Sequence, residues 1–109
     1  MKIEFYKSSS GRSYFEDFLK KLQLSDRAAI LSVFSDIQKN GYKALGCQFR
    51  QIEGKLWEIK IKTASGGWRF FYVSLTSDLI CILHSYKKQT QKAPIQELKV
   101  AQKRLKEVI

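Results

Sequence analysis

Between Leu56 and Tyr86 the chain alternates and turns in the manner of an antiparallel meander. Leu56–Lys62 sends Trp57, Ile59 and Ile61 to one side and Glu58, Lys60 and Lys62 to the other, the period-two pattern of a strand. Ser65-Gly66-Gly67 makes a hairpin connection. Trp68–Leu75, β-branched and aromatic, is the next strand, Thr76-Ser77-Asp78 turns the chain, and Leu79–Tyr86 forms another. Upstream, Phe49–Ile52 is a further candidate strand, followed by a Gly54-Lys55 turn. Connections this short join antiparallel neighbours, because a parallel crossover needs a dozen residues or more.

The flanks add helices. Lys2–Tyr6 reads as a short strand, broken by Ser8-Ser9-Ser10-Gly11. From Arg12 the period changes: Tyr14, Phe15, Phe18, Leu19 and Leu22 recur at helical spacing. Ser25-Asp26 supplies an N-cap and an early acid for a second helix, which carries Ile30, Val33, Phe34 and Ile37 inward and ends near Asn40-Gly41. Pro94 suits a first helical turn, and Ile95, Leu98, Ala101, Leu105 and Val108 then form an amphipathic C-terminal helix. The predicted fold is α+β, a small mostly antiparallel sheet with two N-terminal helices and a C-terminal one. Residues 1–109 are expected to form one domain, without repeat or linker. The helices are expected to cover one face of the sheet and leave the other open for a ligand.

Composition narrows the class. Hydrophobic residues make up 44% and aromatics 13% of the chain, too many for a disordered tail. The apolar runs are too short to cross a bilayer, and the first residues do not resemble a signal peptide, so a cytoplasmic location is expected. Cys47 and Cys81 lack metal-type spacing and fit two free thiols in a reducing compartment. The net charge is +10, unevenly placed. Residues 1–45 hold eight Lys and Arg against five Asp and Glu, a net of +3, and residues 46–109 hold twelve against five, a net of +7. Such an excess attracts polyanions, although it also serves simply to solvate a surface. No helix combines a basic face with a broad aromatic one, which disfavours a membrane surface.

The charge gathers on one side of the predicted meander. Lys60 and Lys62 leave their strand in the same direction, and a regular hairpin brings them near Arg69. Like charges across strands are mildly destabilising, so they are either ordinary solvent-facing side chains or a place prepared for phosphate. Arg69 lies between Trp68 and Phe70 in an almost wholly apolar strand. A guanidinium there needs an acid, with Glu58 the available partner, or a ligand such as phosphate. His84, the one histidine, is either a satisfied core residue or a catalyst. Tyr86 precedes Lys87, Lys88 and Lys92, a basic run beside an aromatic that suits RNA and equally suits a solvated loop.

Taken in order, Leu56-Trp57-Glu58-Ile59-Lys60-Ile61-Lys62, the glycine hairpin, Trp68-Arg69-Phe70-Phe71-Tyr72 and His84-Ser85-Tyr86-Lys87-Lys88-Gln89-Thr90-Gln91-Lys92-Ala93-Pro94 closely resemble the RelE/HigB superfamily, nearest its phage-derived branch. The likeness runs over essentially the whole chain. It implies the toxin of a type II toxin–antitoxin pair, a ribosome-dependent endoribonuclease that cleaves messenger RNA in the A site and so inhibits translation. It implies no metal and no cofactor. The partners it implies are the message, the ribosome and a cognate antitoxin, often a helix-turn-helix repressor of the HigA kind, so that DNA is met only through the antitoxin. By the same resemblance Arg69 matches the catalytic arginine, Lys60 a basic strand position that binds or activates, and Lys87 and Lys88 the basic residues ending the last strand. Glu58 stands where some relatives are basic, and His84 lies near a position that is histidine or tyrosine in others. Glu58, Lys60, His84, Lys87 and Lys88 are thus the candidate partners of Arg69, with Arg50, Lys62, Tyr86 and Lys92 as RNA-binding residues. The competing possibilities are a basic RNA- or antitoxin-binding module without catalysis, and a ribonuclease that cuts free RNA.

Overall fold

The structure is a computed structural model that describes residues 1–89 and 94–109. Its elements follow as β1 (Lys2–Phe5), α1 (Tyr14–Lys20), α2 (Leu24–Asn40), β2 (Cys47–Glu53), β3 (Leu56–Thr63), β4 (Gly66–Thr76), β5 (Leu79–Lys88) and α3 (Ile95–Val108), with one 3-10 turn at Gly41–Lys43. The five strands form one sheet in the order β1-β5-β4-β3-β2. Three of its four pairings are antiparallel, and β1 alone runs parallel to its neighbour β5. The α+β class and the meander are as expected.

Alternation along the strands sorts the core into two layers. Ile59, Ile61, Trp68, Phe70, Tyr72, Ile80 and Ile82 face α1 and α2 and pack with Phe15, Ile30, Phe34 and Ile37. Phe70 is the hub of this layer, with ring centroids 5.1 Å from Phe34, 5.8 Å from Phe18 and 6.3 Å from Phe15. Truncating such a ring to alanine costs about 3–5 kcal/mol. Helix α1, at seven residues, is too short to persist alone. Ser13 caps it by accepting from the Glu16 amide, and Arg27 of α2 donates to the Leu19 and Leu22 carbonyls at its far end.

The second layer corrects the expectation of helices on one face only. Leu56, Phe71, Val73, Cys81, Leu83 and Tyr86 form a separate cluster on the opposite face, covered by Ala101, Leu98 and Leu105 of α3. An apolar row along that face cannot be left to water, and the amphipathic C-terminal helix covers it. Cys47 and Cys81 belong to different layers, and both are free thiols.

Two local expectations also change. The hairpin turn is Ala64-Ser65, because Thr63 pairs with Gly66 and Lys62 with Gly67. The residue flanking the start of α2 is Gln23, not Ser25, and it makes no side-chain cap. Asp26 instead turns its carboxylate to the hairpin, accepting from Thr63 Oγ1 at 2.7 Å and Ser65 Oγ at 2.6 Å. Trp68 Nε1 donates to the same Thr63 hydroxyl at 2.7 Å. Both are charge-assisted bonds, and they tie the start of α2 to the β3–β4 turn.

Candidate functional site

The strand register writes the site as three rows on the α3 face. Arg50 of β2, Glu58 of β3, Phe71 of β4 and His84 of β5 make the first; Gln48, Lys60, Arg69 and Tyr86 make the second; Lys62, Gly67 and Lys88 make the third. Helix α3 covers the apolar part of this face. The second and third rows emerge beside it and line a cleft of about 880 Å³ that includes Lys60, Lys62, Gly67, Arg69 and Lys88.

A bulge puts Tyr86 and Lys88 on this side. Phe71 pairs with His84 but Tyr72 pairs with Ile82, so Leu83 is an extra residue in β5. Strict alternation would group residues 81, 83 and 85; the second layer instead holds Cys81, Leu83 and Tyr86. The shift leaves Lys87 on the other face, exposed, with its Nζ 5.4 Å from the centre of the Trp68 ring. Of the two lysines ending the last strand, Lys88 alone reaches the cleft.

Arg69 is 8% exposed and Glu58 is fully buried. Glu58 Oε1 lies 3.6 Å from Arg69 Nε and 3.2 Å from Arg50 Nη2. Neither carboxylate oxygen is hydrogen-bonded by a described residue, so two guanidinium charges at ion-pair distance hold this acid in the interior. Arg69 Nη1 donates to the Trp68 carbonyl at 3.0 Å. Its guanidinium lies against Gly67, where a Cβ would stand 3.2 Å from Nη1 and 3.8 Å from Nη2. The missing side chain opens a recess between Lys62 and Lys88 in which the end of the arginine sits.

The cations feel one another. Lys88 is held below the ordinary lysine value, first by loss of water contact and then by the charges of Arg69, Lys60 and Arg50, with Glu58 opposing. Tyr86, 8% exposed, stacks on Phe71 with centroids 5.6 Å apart. Burial, with Glu58 second, pushes its phenol up to about 12. Its ring lies in the core, packed in the second layer.

His84 stands apart from the cleft. Its Nε2 is 2.5 Å from Glu97 Oε2 on α3, and Arg104 Nη1 lies 3.4 Å from its Nδ1 while donating to the Leu83 carbonyl at 2.8 Å. Arginine can only donate, so Nδ1 is the acceptor and Nε2 carries the proton given to Glu97. Burial, more than the Arg104 charge, lowers the imidazole's pKa. Both nitrogens are engaged in tying α3 to the sheet.

Of the predicted residues, the structure brings together Arg50, Glu58, Lys60, Lys62, Arg69 and Lys88, and sets His84 and Lys87 elsewhere. Lys92 lies outside the described residues. Sequence reasoning missed Gly67 as the recess for Arg69 and Asp26 as the anchor of the hairpin. The Gly66-Gly67 pair was the available signal for the first: two glycines exceed what the Ala64-Ser65 turn requires, and an extra strand glycine marks a close approach.

The fold and cleft define a class: a small basic α+β protein with a cationic pocket suited to phosphate groups. Residues 17–106 match the family model described as Phage derived protein Gp49-like (DUF891), and the chain belongs to that family. No curated protein matches the sequence. Among the described residues, no helix is long and apolar enough to cross a membrane.

Proposed function

We propose that the chain is the toxin of a type II toxin–antitoxin pair, an endoribonuclease of the RelE/HigB kind that enters the ribosome and cuts message in the A site. The observation that carries this is the Arg69 guanidinium, fixed from behind by Glu58 and opening into a cleft it shares with Lys60, Lys62 and Lys88. Membership of a phage-derived family and the resemblance along the strands are consistent with it.

The chemistry needs little from the protein. The RNA 2′-hydroxyl loses its proton and attacks the adjacent phosphorus, the bond to the 5′-oxygen breaks, and that oxygen takes up a proton. The product is a 2′,3′-cyclic phosphate, which water opens to the 3′-phosphate. Arg69 and Lys60 bind the phosphoryl oxygens as charge grows on them. Lys88, with its lowered pKa and free approach to the cleft, is the proton carrier. Glu58, sealed beneath the arginines, positions Arg69 and touches no substrate. No step calls for a metal. Few acid–base groups face the cleft, so the ribosome supplies much of the substrate alignment. A cognate helix-turn-helix antitoxin would mask this basic face, and the site of action is the cytoplasm.

Expression of the protein alone is expected to arrest growth, with rescue by the product of the neighbouring gene. Arg69→Ala is expected to abolish arrest at equal soluble level. Harmless expression of the wild type would favour the non-catalytic binding module, and full toxicity of Arg69→Ala would refute the site.

A further inference from the structure

Resting on the proposal that the ligand is a polynucleotide, we infer that this cleft is a backbone reader: it holds two successive phosphates of one strand and leaves the bases unread. The second row offers Lys60 and Arg69, and the third offers Lys62 and Lys88 around the Gly67 recess. Neighbouring rows on one face are two residues apart, about 7 Å at the rise of a strand. That is comparable with the step between adjacent phosphates of an extended single strand. At about 880 Å³ the cleft exceeds what one phosphate fills.

What lines the cleft matters as much as its charge. Proteins that select bases in single strands stack them on aromatic rings or Arg planes and hydrogen-bond their edges. Among the described residues that line this cleft there is no aromatic side chain. The undescribed segment, Thr90-Gln91-Lys92-Ala93, contains none either. Of the rings around it, Tyr86 is stacked on Phe71 and Trp68 is buried in the opposite layer, while the half-exposed Tyr42 lies in a neighbouring groove beyond Gln48 and Lys60, packed edge-on with Phe49. Arg69 is 8% exposed and held by Glu58, the Trp68 carbonyl and the close approach of Gly67, so little of its plane is free for a base to stack on. The one acid of the three rows, Glu58, is buried and cannot accept from a base amine. Only the amides of Gln48 and Gln89 bring acceptor oxygens to the lining side chains. Four ammonium and guanidinium groups have no acceptor to offer, and phosphate is the group that satisfies all of them.

The test is binding of short, equal-length deoxyribonucleotide strands, which lack the attacking 2′-hydroxyl and therefore survive the measurement. Oligo-dT, oligo-dA, oligo-dC and an abasic strand are titrated by fluorescence anisotropy over a range of salt. Dissociation constants within about threefold of one another are expected, the abasic strand included. Lys62→Ala and Lys88→Ala are each expected to reduce the slope of log affinity against log salt by about 0.7, one phosphate contact apiece. A preference of about tenfold for one base, or an abasic strand bound about tenfold more weakly than the others, would overturn the inference. So would unchanged salt slopes in both lysine variants. Binding and cutting separate the two claims: equal binding of every strand without cleavage of message sinks the nuclease and keeps the backbone reader, while base-selective binding with cleavage does the reverse.

Discussion

Arg69 owes its usefulness to three neighbours that each do something different. Glu58 compensates its burial, the Trp68 carbonyl fixes one edge of the fork, and Gly67 leaves room for its tip. The last of these gives a clean experiment. Gly67 has no need of the left-handed backbone, so alanine is tolerated conformationally, but its Cβ would meet Nη1 at 3.2 Å and push the guanidinium aside. Gly67→Ala is expected to lose tenfold or more in cleavage, towards the roughly 10²–10³ typical of a lost charge-stabilising donor, with the unfolding midpoint little changed. His84, bonded to Glu97 and facing Arg104 of α3, bears on stability. Its folded pKa is lowered by burial, so below about pH 6.5 the unfolded chain takes up a proton that the folded one resists. The contribution is full above pH 6.5 and is lost as pH falls from there towards the folded pKa. Denaturation measured from pH 5 to 8 should show stability falling on acidification, and His84→Gln should flatten that dependence; an unaltered profile would place the titration elsewhere.

At the scale of elements, the β3–β4 hairpin carries Lys60, Lys62, Gly67 and Arg69, and it is fastened from behind by α2. The Ser65 and Thr63 hydroxyls hold the Asp26 carboxyl below its usual range. Asp26→Ala should leave the helices folded yet speed amide exchange at residues 63–67 several-fold, and it should slow cleavage through lost alignment; unchanged exchange there would show the clamp to be idle. The hairpin, its two faces and the nearness of Lys60 and Lys62 to Arg69 were legible because alternation with period two fixes sides, whereas the exact register, with Lys60 opposite Arg69, followed only from the true turn at Ala64-Ser65. The β5 bulge was not legible. Nothing in Leu79–Lys88 marks Leu83 as an extra residue, and that one residue decides which of Lys87 and Lys88 reaches the cleft. Asp26 does lie in the first turn of α2 as expected, but its tie to the hairpin was hidden for a related reason: its partners Thr63 and Ser65 are distant in sequence, and local capping rules see only its own helix. Likewise the place of α3 depends on which apolar row remains uncovered, a property of the assembled sheet.

The whole molecule separates its two layers by task. Helices α1 and α2 with the aromatic layer around Phe70 give the sheet its stiffness, and α3 closes the apolar part of the opposite face. The cationic rows lie where that cover stops. A net charge of +10 on 109 residues favours approach to polyanions, and under the proposed function the cleft is where that attraction ends. The most direct measurement of the central claim is cleavage of message on purified ribosomes, read by primer extension, with the wild type and Arg69→Ala side by side. The wild type is predicted to cut within the A-site codon, and the folded Arg69→Ala protein to cut about 10²–10³ more slowly. No cleavage by the wild type, or equal rates for the two proteins, would contradict it.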